Sequence, residues 1–197
     1  SILDSLGLLK VDFLGLATLT IMQRASDLIK KRHGVHLDLH NIPLDDAESY
    51  LFIGKGHTAG VFQLEGSGMT RYLMQMKPKT LANVIAMVAL YRPGPLEFIP
   101  QYIRRMHNEE PVTYTHDSLK PIFEETFGIP IYQEQIMRAA VDLGGYTLSE
   151  SDELRSVISK KKKDKIPKHR EKFIKGCVER DIPQSTAEAI FANWEEF

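Results

Sequence analysis

The chain has 197 residues, 43% of them hydrophobic and 26% charged, with a formal net charge of −1. That is the make-up of an ordinary soluble protein of one domain or two small ones, with enough apolar residues to bury a core. No apolar run approaches the roughly 20 residues of a membrane helix and no signal peptide is evident. The single cysteine, Cys177, excludes an internal disulfide, so a reducing, cytoplasmic setting is expected and membrane partners are not.

In chain order, "GLLKVDFLGL" (7–16) reads as a buried strand holding one acid, Asp12, with Lys10 two positions earlier. Side chains two apart on a strand share a face, so the two would sit together. A carboxylate in an apolar run is paired, hydrogen-bonded or metal-bound. The pair suits a site that handles metal-bound phosphates, and it equally suits a plain ion pair. Residues 17–34 predict a helix with Ile21, Met22, Ala25, Leu28 and Ile29 on one apolar face and Gly34 as its stop. A short helix follows at 45–52, then a strand reading for "AGVFQLEG" (59–66) and helices at 67–76 and 80–91. "YRPGPLEF" (91–98) is a loop, because two prolines flanking a glycine cannot continue a helix. Helical patterns return at 98–107, 117–125, 132–143, 148–163, 164–179 and 186–196. The last three place Leu154, Val157 and Ile158, then Ile166, Phe173, Ile174 and Cys177, then Ala187, Ile190, Phe191 and Trp194 inward. Thr147 with Glu150 and Ser185 with Glu188 have capping-box spacing. The expected fold class is mainly α, with one or two strand fragments near the start. The chain starts at Ser1 and stops at Phe197 inside an amphipathic pattern, so it is expected to be a piece of something longer.

Several motifs invite chemistry and fail their templates. "HGVHLDLH" (33–40) spaces His33, His36 and His40 like zinc ligands, but no cysteine or second cluster completes a set. "GKGHTAG" (54–60) lacks the G-K-[ST] of a phosphate loop, because Gly56 follows Lys55. Cys177 lies on an apolar helix face and reads as a structural thiol. The basic tract is stronger. Between Arg155 and Lys175 ten Lys/Arg stand against Asp164 and Glu171, a local net of +8 in a nearly neutral chain. Such a field attracts nucleotides or nucleic acid, and a solvated helix face explains it too. Arg155, Ser159 and Lys162 fall on one strip at i, i+4, i+7, where an arginine fork suits phosphate and a lysine acts as a point charge.

The blocks "KVDFLGLATLTIM", "GVFQLEGSGM", "ALYRPGP", "GIPIYQEQIM" and "GYTLSESDELRSVISKKK", in this order, resemble the C family of bacterial replicative DNA polymerases, the DNA polymerase III alpha subunits. The resemblance implies that residues 1–16 are the last strand of a polymerase-beta-like nucleotidyltransferase palm and that 17–197 belong to the fingers. It implies a DNA-directed DNA polymerase that extends a primer 3′-end by two-metal phosphoryl transfer with two Mg²⁺, the fragment alone being inactive. Asp12 would be the third catalytic, metal-binding aspartate, the other two belonging to a D-x-D motif that this chain lacks. Lys10, Arg155, Lys160 and Lys161 would bind the nucleotide phosphates. The family block L-R-R-A-M-G-K-K reads "LRSVISKK" here, with Ser156 replacing the second arginine and Ser159 the glycine; Lys162 or Lys163 could supply the missing charge. Arg92, Gln133 and Glu134 match family motifs without an assigned role, the last two leaning structural. Primer–template DNA and deoxynucleoside triphosphates are the implied partners, with a sliding clamp and clamp loader contacted through parts absent here. The alternative on residues alone is a stand-alone helical module that binds nucleic acid without catalysis.

Overall fold

Ten α-helices and three short 3₁₀ turns make up the regular structure of the computed structural model, which describes residues 6–9 and 11–196. There is no β-strand among the described residues, so the described part of the chain is all-helical rather than mainly helical with a strand. The chain divides into two compact units, Ser1–Asp45 and Asp46–Phe197.

In the first unit the expected strand at 7–16 does not form. Residues 6 and 7 turn, with Gly7 at φ 69°, and 11–16 follow without regular structure. A strand needs a neighbour to take its amides and carbonyls, and the described residues provide none. Leu9, Phe13 and Leu14 are accordingly about nine-tenths exposed, at 88%, 95% and 93%. Helix α1 (Ala17–His33) does form, closed by Gly34 at φ 70°. Its apolar face is not covered: Ile21, Met22 and Leu28 are exposed, and Ser26, donating to the Leu37 carbonyl at 3.1 Å, is the one buried residue among those described in this unit. An amphipathic face is buried only where an element packs on it.

The second unit holds two cores. One is built by α3 (Ser67–Met76), α4 (Leu81–Leu90) and α5 (Ile99–Met106), around Leu73, Met76, Met87, Leu90, Ile99 and Tyr102. Helix α2 (Ala47–Gly54), started by the Asp46 side chain on the Glu48 N–H, lies against α3. "AGVFQLEG" forms turns rather than a strand, because Gly60 and Gln63 both take positive φ, 75° and 64°, which extended pairing does not tolerate. The other core joins α6 (Lys120–Phe123), α7 (Gln133–Gly144), α8 (Leu148–Ser159), α9 (Ile166–Val178) and α10 (Gln184–Glu196). Leu154, Val157, Phe173, Cys177, Ala187, Ile190, Phe191 and Trp194 are all buried, and Ile166 and Ile174 pack at the edge, as their helical spacing predicts.

Two details set the geometry of this second core. Helix α9 crosses the end of α7 at Gly176 and Gly144; a Cβ on Gly176 would lie 1.9 Å from the Gly144 carbonyl oxygen. Helix α8 opens with the expected capping box, Thr147 and Glu150 bonding each other's backbone amides. The Ser185–Glu188 box does not form: α10 starts at Gln184, whose side chain donates to Glu188 instead at 2.8 Å. The expected helix 117–125 is broken into a 3₁₀ turn, α6 and a second 3₁₀ turn, ended by Phe127 and Gly128 at positive φ. No helix among the described residues is long and apolar enough to cross a membrane.

Candidate functional site

Three of the quoted blocks converge on one cleft of about 510 Å³ in the second unit. The "RPGP" loop contributes Arg92, Pro93 and Pro95; the segment before and into α7 contributes Ile131, Tyr132, Gln133, Glu134 and Ile136; and α8 contributes Arg155, Ile158 and Ser159. Apolar walls with a few convergent polar groups are the usual make-up of a ligand cleft of this size.

Each wall is held from beneath. After α4, Gly94 takes φ 99° and ψ −80°, a conformation open only to glycine, and Pro95 is buried at the start of a 3₁₀ turn. The Arg92 N–H donates to the Leu90 carbonyl at 2.7 Å, and the Arg92 carbonyl accepts from the Leu96 N–H at 3.1 Å. The loop therefore presents an exposed arginine from a pinned backbone. On the second wall the buried Gln135 carries the local order. Its Oε1 accepts from the Ile131 and Tyr132 amides, both at 3.0 Å, and its Nε2 donates to the Ile122 carbonyl and to Thr126 Oγ1. All four hydrogen-bonding positions of the amide are used. This fixes the chain running into α7 and so the place of Gln133, the first residue of that helix. Burial pushes the Tyr132 phenol up to about 12, so it stays a neutral donor.

On the third wall Arg155 is half-buried and held at two edges. Asp152, one turn earlier, meets Nε and Nη2, both at 2.8 Å, and Gln133 Oε1 accepts from Nη1 at 3.4 Å. A guanidinium has five N–H groups, so two are left for a ligand. Gln133 Nε2 in turn donates to Ser159 Oγ at 3.0 Å. The cleft thus offers the guanidinium groups of Arg92 and Arg155, the amide of Gln133 and the hydroxyl of Ser159, with Glu134 as the acid on its lining.

The other expected site residues lie elsewhere. Lys160 is the exposed C-cap of α8. Lys161 takes a left-handed φ of 47° that ends the helix four residues before the expected 163, and its ammonium donates to the Glu195 carbonyl at the end of α10, 3.1 Å away. Neither lines the cleft. Ser156 is half-buried beside Arg155 and Lys162 is half-buried after the turn, while Lys163 is exposed. Asp12 belongs to the first unit, where it is exposed, and Lys10 lies outside the described residues. A carboxylate is a suitable oxygen donor for magnesium, but no group of three or more His, Cys, Asp or Glu able to hold a metal occurs among the described residues. These residues by themselves do not make a magnesium site. Sequence reasoning left Arg92 and Gln133 without a role and passed over Gln135. The signal available for both glutamines was a pair of amides two apart where an extended segment turns into a helix.

Residues 18–181 match the family model described as the bacterial DNA polymerase III alpha subunit finger domain. The chain is 48% identical to the DNA polymerase III subunit alpha of Thermus aquaticus, over 98% of the chain and 16% of that protein. It is 45% identical to the DNA polymerase III subunit alpha of Aquifex aeolicus, over 99% of the chain and 17% of that protein. Against the DNA polymerase III subunit alpha of Bacillus subtilis it is 42% identical over 96% of the chain, again 17% of that protein. The chain spans about a sixth of the length of these relatives.

Proposed function

The chain belongs to the bacterial DNA polymerase III alpha subunit finger domain family, and we propose that its cleft grips the triphosphate of the incoming deoxynucleotide in a polymerase that replicates a bacterial chromosome. The observation that carries the reading is the convergence of the "RPGP", "YQEQ" and "LRSVISKK" blocks on one cleft with two guanidinium groups in its walls. An arginine fork pairs bidentately with phosphate oxygens and stays charged at every working pH. Held in advance, it opposes the charge that builds on the phosphates during transfer without a fresh cost of ordering.

In this reading residues 1–16 belong to the palm and 17–197 to the fingers. Arg155 binds and orients the triphosphate through its two uncommitted N–H groups. Arg92 meets the same ligand from the opposite loop. Lys160 and Lys161, next to the cleft along the chain, add positive field along the approach of the nucleotide. Lys10 serves the phosphates from the palm side. Asp12 is the catalytic carboxylate that this chain brings to a two-Mg²⁺ centre whose other ligands it does not contain, so no chemical step is assigned to residues of this chain alone. Primer–template DNA and deoxynucleoside triphosphates are the substrates, the clamp and clamp loader the partners of the whole protein, and the cytoplasm its compartment.

The test is Arg155→Ala in the full-length polymerase, read by primer extension over a range of nucleotide concentrations. Removing one charged phosphate contact is expected to raise the nucleotide KM about tenfold or more, with primer–template affinity little changed. An unchanged nucleotide KM refutes the reading.

A further inference from the structure

Gln133 makes both of its side-chain hydrogen bonds to α8, 22 and 26 residues further along the chain. One accepts from Arg155 Nη1 at 3.4 Å and the other donates to Ser159 Oγ at 3.0 Å. Residues 155 and 159 are one turn apart and therefore neighbours on the helix surface. The glutamine amide lies across that gap as a bridge, anchored at Ser159 and presenting its oxygen to the guanidinium. Its own backbone is fixed by the buried Gln135 bonds at 131 and 132. An exposed glutamine normally keeps its rotamer freedom, and here two points of attachment remove it.

The chemistry of the bridge matters as much as its position. Arg155 already meets one carboxylate, Asp152. A second acid at the other edge would turn the already paired guanidinium into a net negative cluster and repel any phosphate. An amide oxygen supplies the same acceptor geometry without the charge. We infer that Gln133 is a positioning residue for phosphate binding, which holds the Arg155 guanidinium toward the cleft without adding a second negative charge beside it. The inference rests on the reading of the cleft as the triphosphate site.

The experiment measures nucleotide KM and kcat by primer extension, and inhibition by inorganic tripolyphosphate, in the full-length polymerase carrying Gln133→Ala, Gln133→Glu, Ser159→Ala or Arg155→Ala. Gln133→Ala is expected to raise KM about threefold to tenfold, the worth of one or two modest hydrogen bonds, with kcat moving less. Ser159→Ala, which removes only the anchor, is expected to raise it about twofold to threefold. Gln133→Glu keeps an acceptor for Arg155 and one for the Ser159 hydroxyl but adds a competing charge. Its KM is expected to rise more than that of Gln133→Ala, at least about tenfold, with tripolyphosphate inhibition weakened in parallel. A residue that only ties α7 to α8 would tolerate Gln133→Glu, so a wild-type KM in that variant overturns the inference. If Arg155→Ala raises KM in the same series, the cleft reading survives that result. If Arg155→Ala has no effect, both fall together.

Discussion

Replacing Gly176 with alanine separates the packing account from simple helix propensity, because the two disagree in sign. In an unobstructed helix interior, alanine is favoured over glycine by about 1 kcal/mol. At this position the new Cβ would stand 1.9 Å from the Gly144 carbonyl oxygen and 2.7 Å from its carbon, where ordinary contact begins near 3.4 Å. Both obstacles are backbone atoms, so no side chain can swing aside. Helices α7 and α9 must move apart by roughly 1.5 Å, and the close approach of Phe173 to Gly144 at the same crossing opens with them. Overpacking of that kind costs about 3 kcal/mol or somewhat more. Set against the propensity gain, the net loss is about 2 kcal/mol. The assay is urea unfolding followed by the fluorescence of Trp194, the single tryptophan, which is buried in this core. A loss of that size lowers the midpoint by about 1 M at the usual slope for a small protein. A midpoint equal to or above that of the wild type would refute the crossing geometry.

Three further expectations follow from named contacts. Gln135→Leu leaves the Ile131 and Tyr132 amides without acceptors in a buried setting, and a destabilisation of about 3 kcal/mol is expected in the same urea assay; a change below 1 kcal/mol contradicts it. Glu150 has its carboxyl held down to about 2 by the Lys172 ammonium first and by Thr147 second. Its contribution to stability is therefore complete above the ordinary carboxylate range near 4.5 and is lost as the pH falls toward 2. Melting curves between pH 7 and 2 should show the profile of Glu150→Gln flattened across that window, and parallel profiles would count against it. Asp152→Asn keeps an acceptor for Arg155 while removing the charge that competes with phosphate. The nucleotide KM of the full-length polymerase is expected to fall about twofold to fivefold, and a rise would show that the carboxylate assists binding.

The second unit was largely legible because its helices bury one face against each other. The periodic sets Leu154–Val157–Ile158 and Ala187–Ile190–Phe191–Trp194 lie in the core as their spacing predicts. In the first unit α1 and its Gly34 stop follow the pattern, but the expected strand does not form, for a physical reason rather than a misread pattern. The run "GLLKVDFLGL" has the apolar residues of a strand, but a strand is completed by pairing with another, and no second strand occurs among the described residues. The apolar face of α1 is uncovered for the same kind of reason. Arg155 was legible as a candidate for phosphate binding from its residue type and its block. Its partnership with Gln133 and its grouping with Arg92 were not, because both depend on contacts between segments far apart in the chain. The helix end at Lys160 also escaped the pattern, since a run of lysines has no periodicity and Lys161 adopts a left-handed conformation unusual for its type.

The most direct measurement is the distance from the Arg155 guanidinium to the phosphates in a structure of the full-length polymerase with primer–template and an incoming deoxynucleotide. The cleft reading predicts an N–O separation of about 3 Å to a phosphate oxygen, with Gln133 still bonded to Arg155. A triphosphate seated outside the cleft, with Arg155 facing only Asp152, would contradict it.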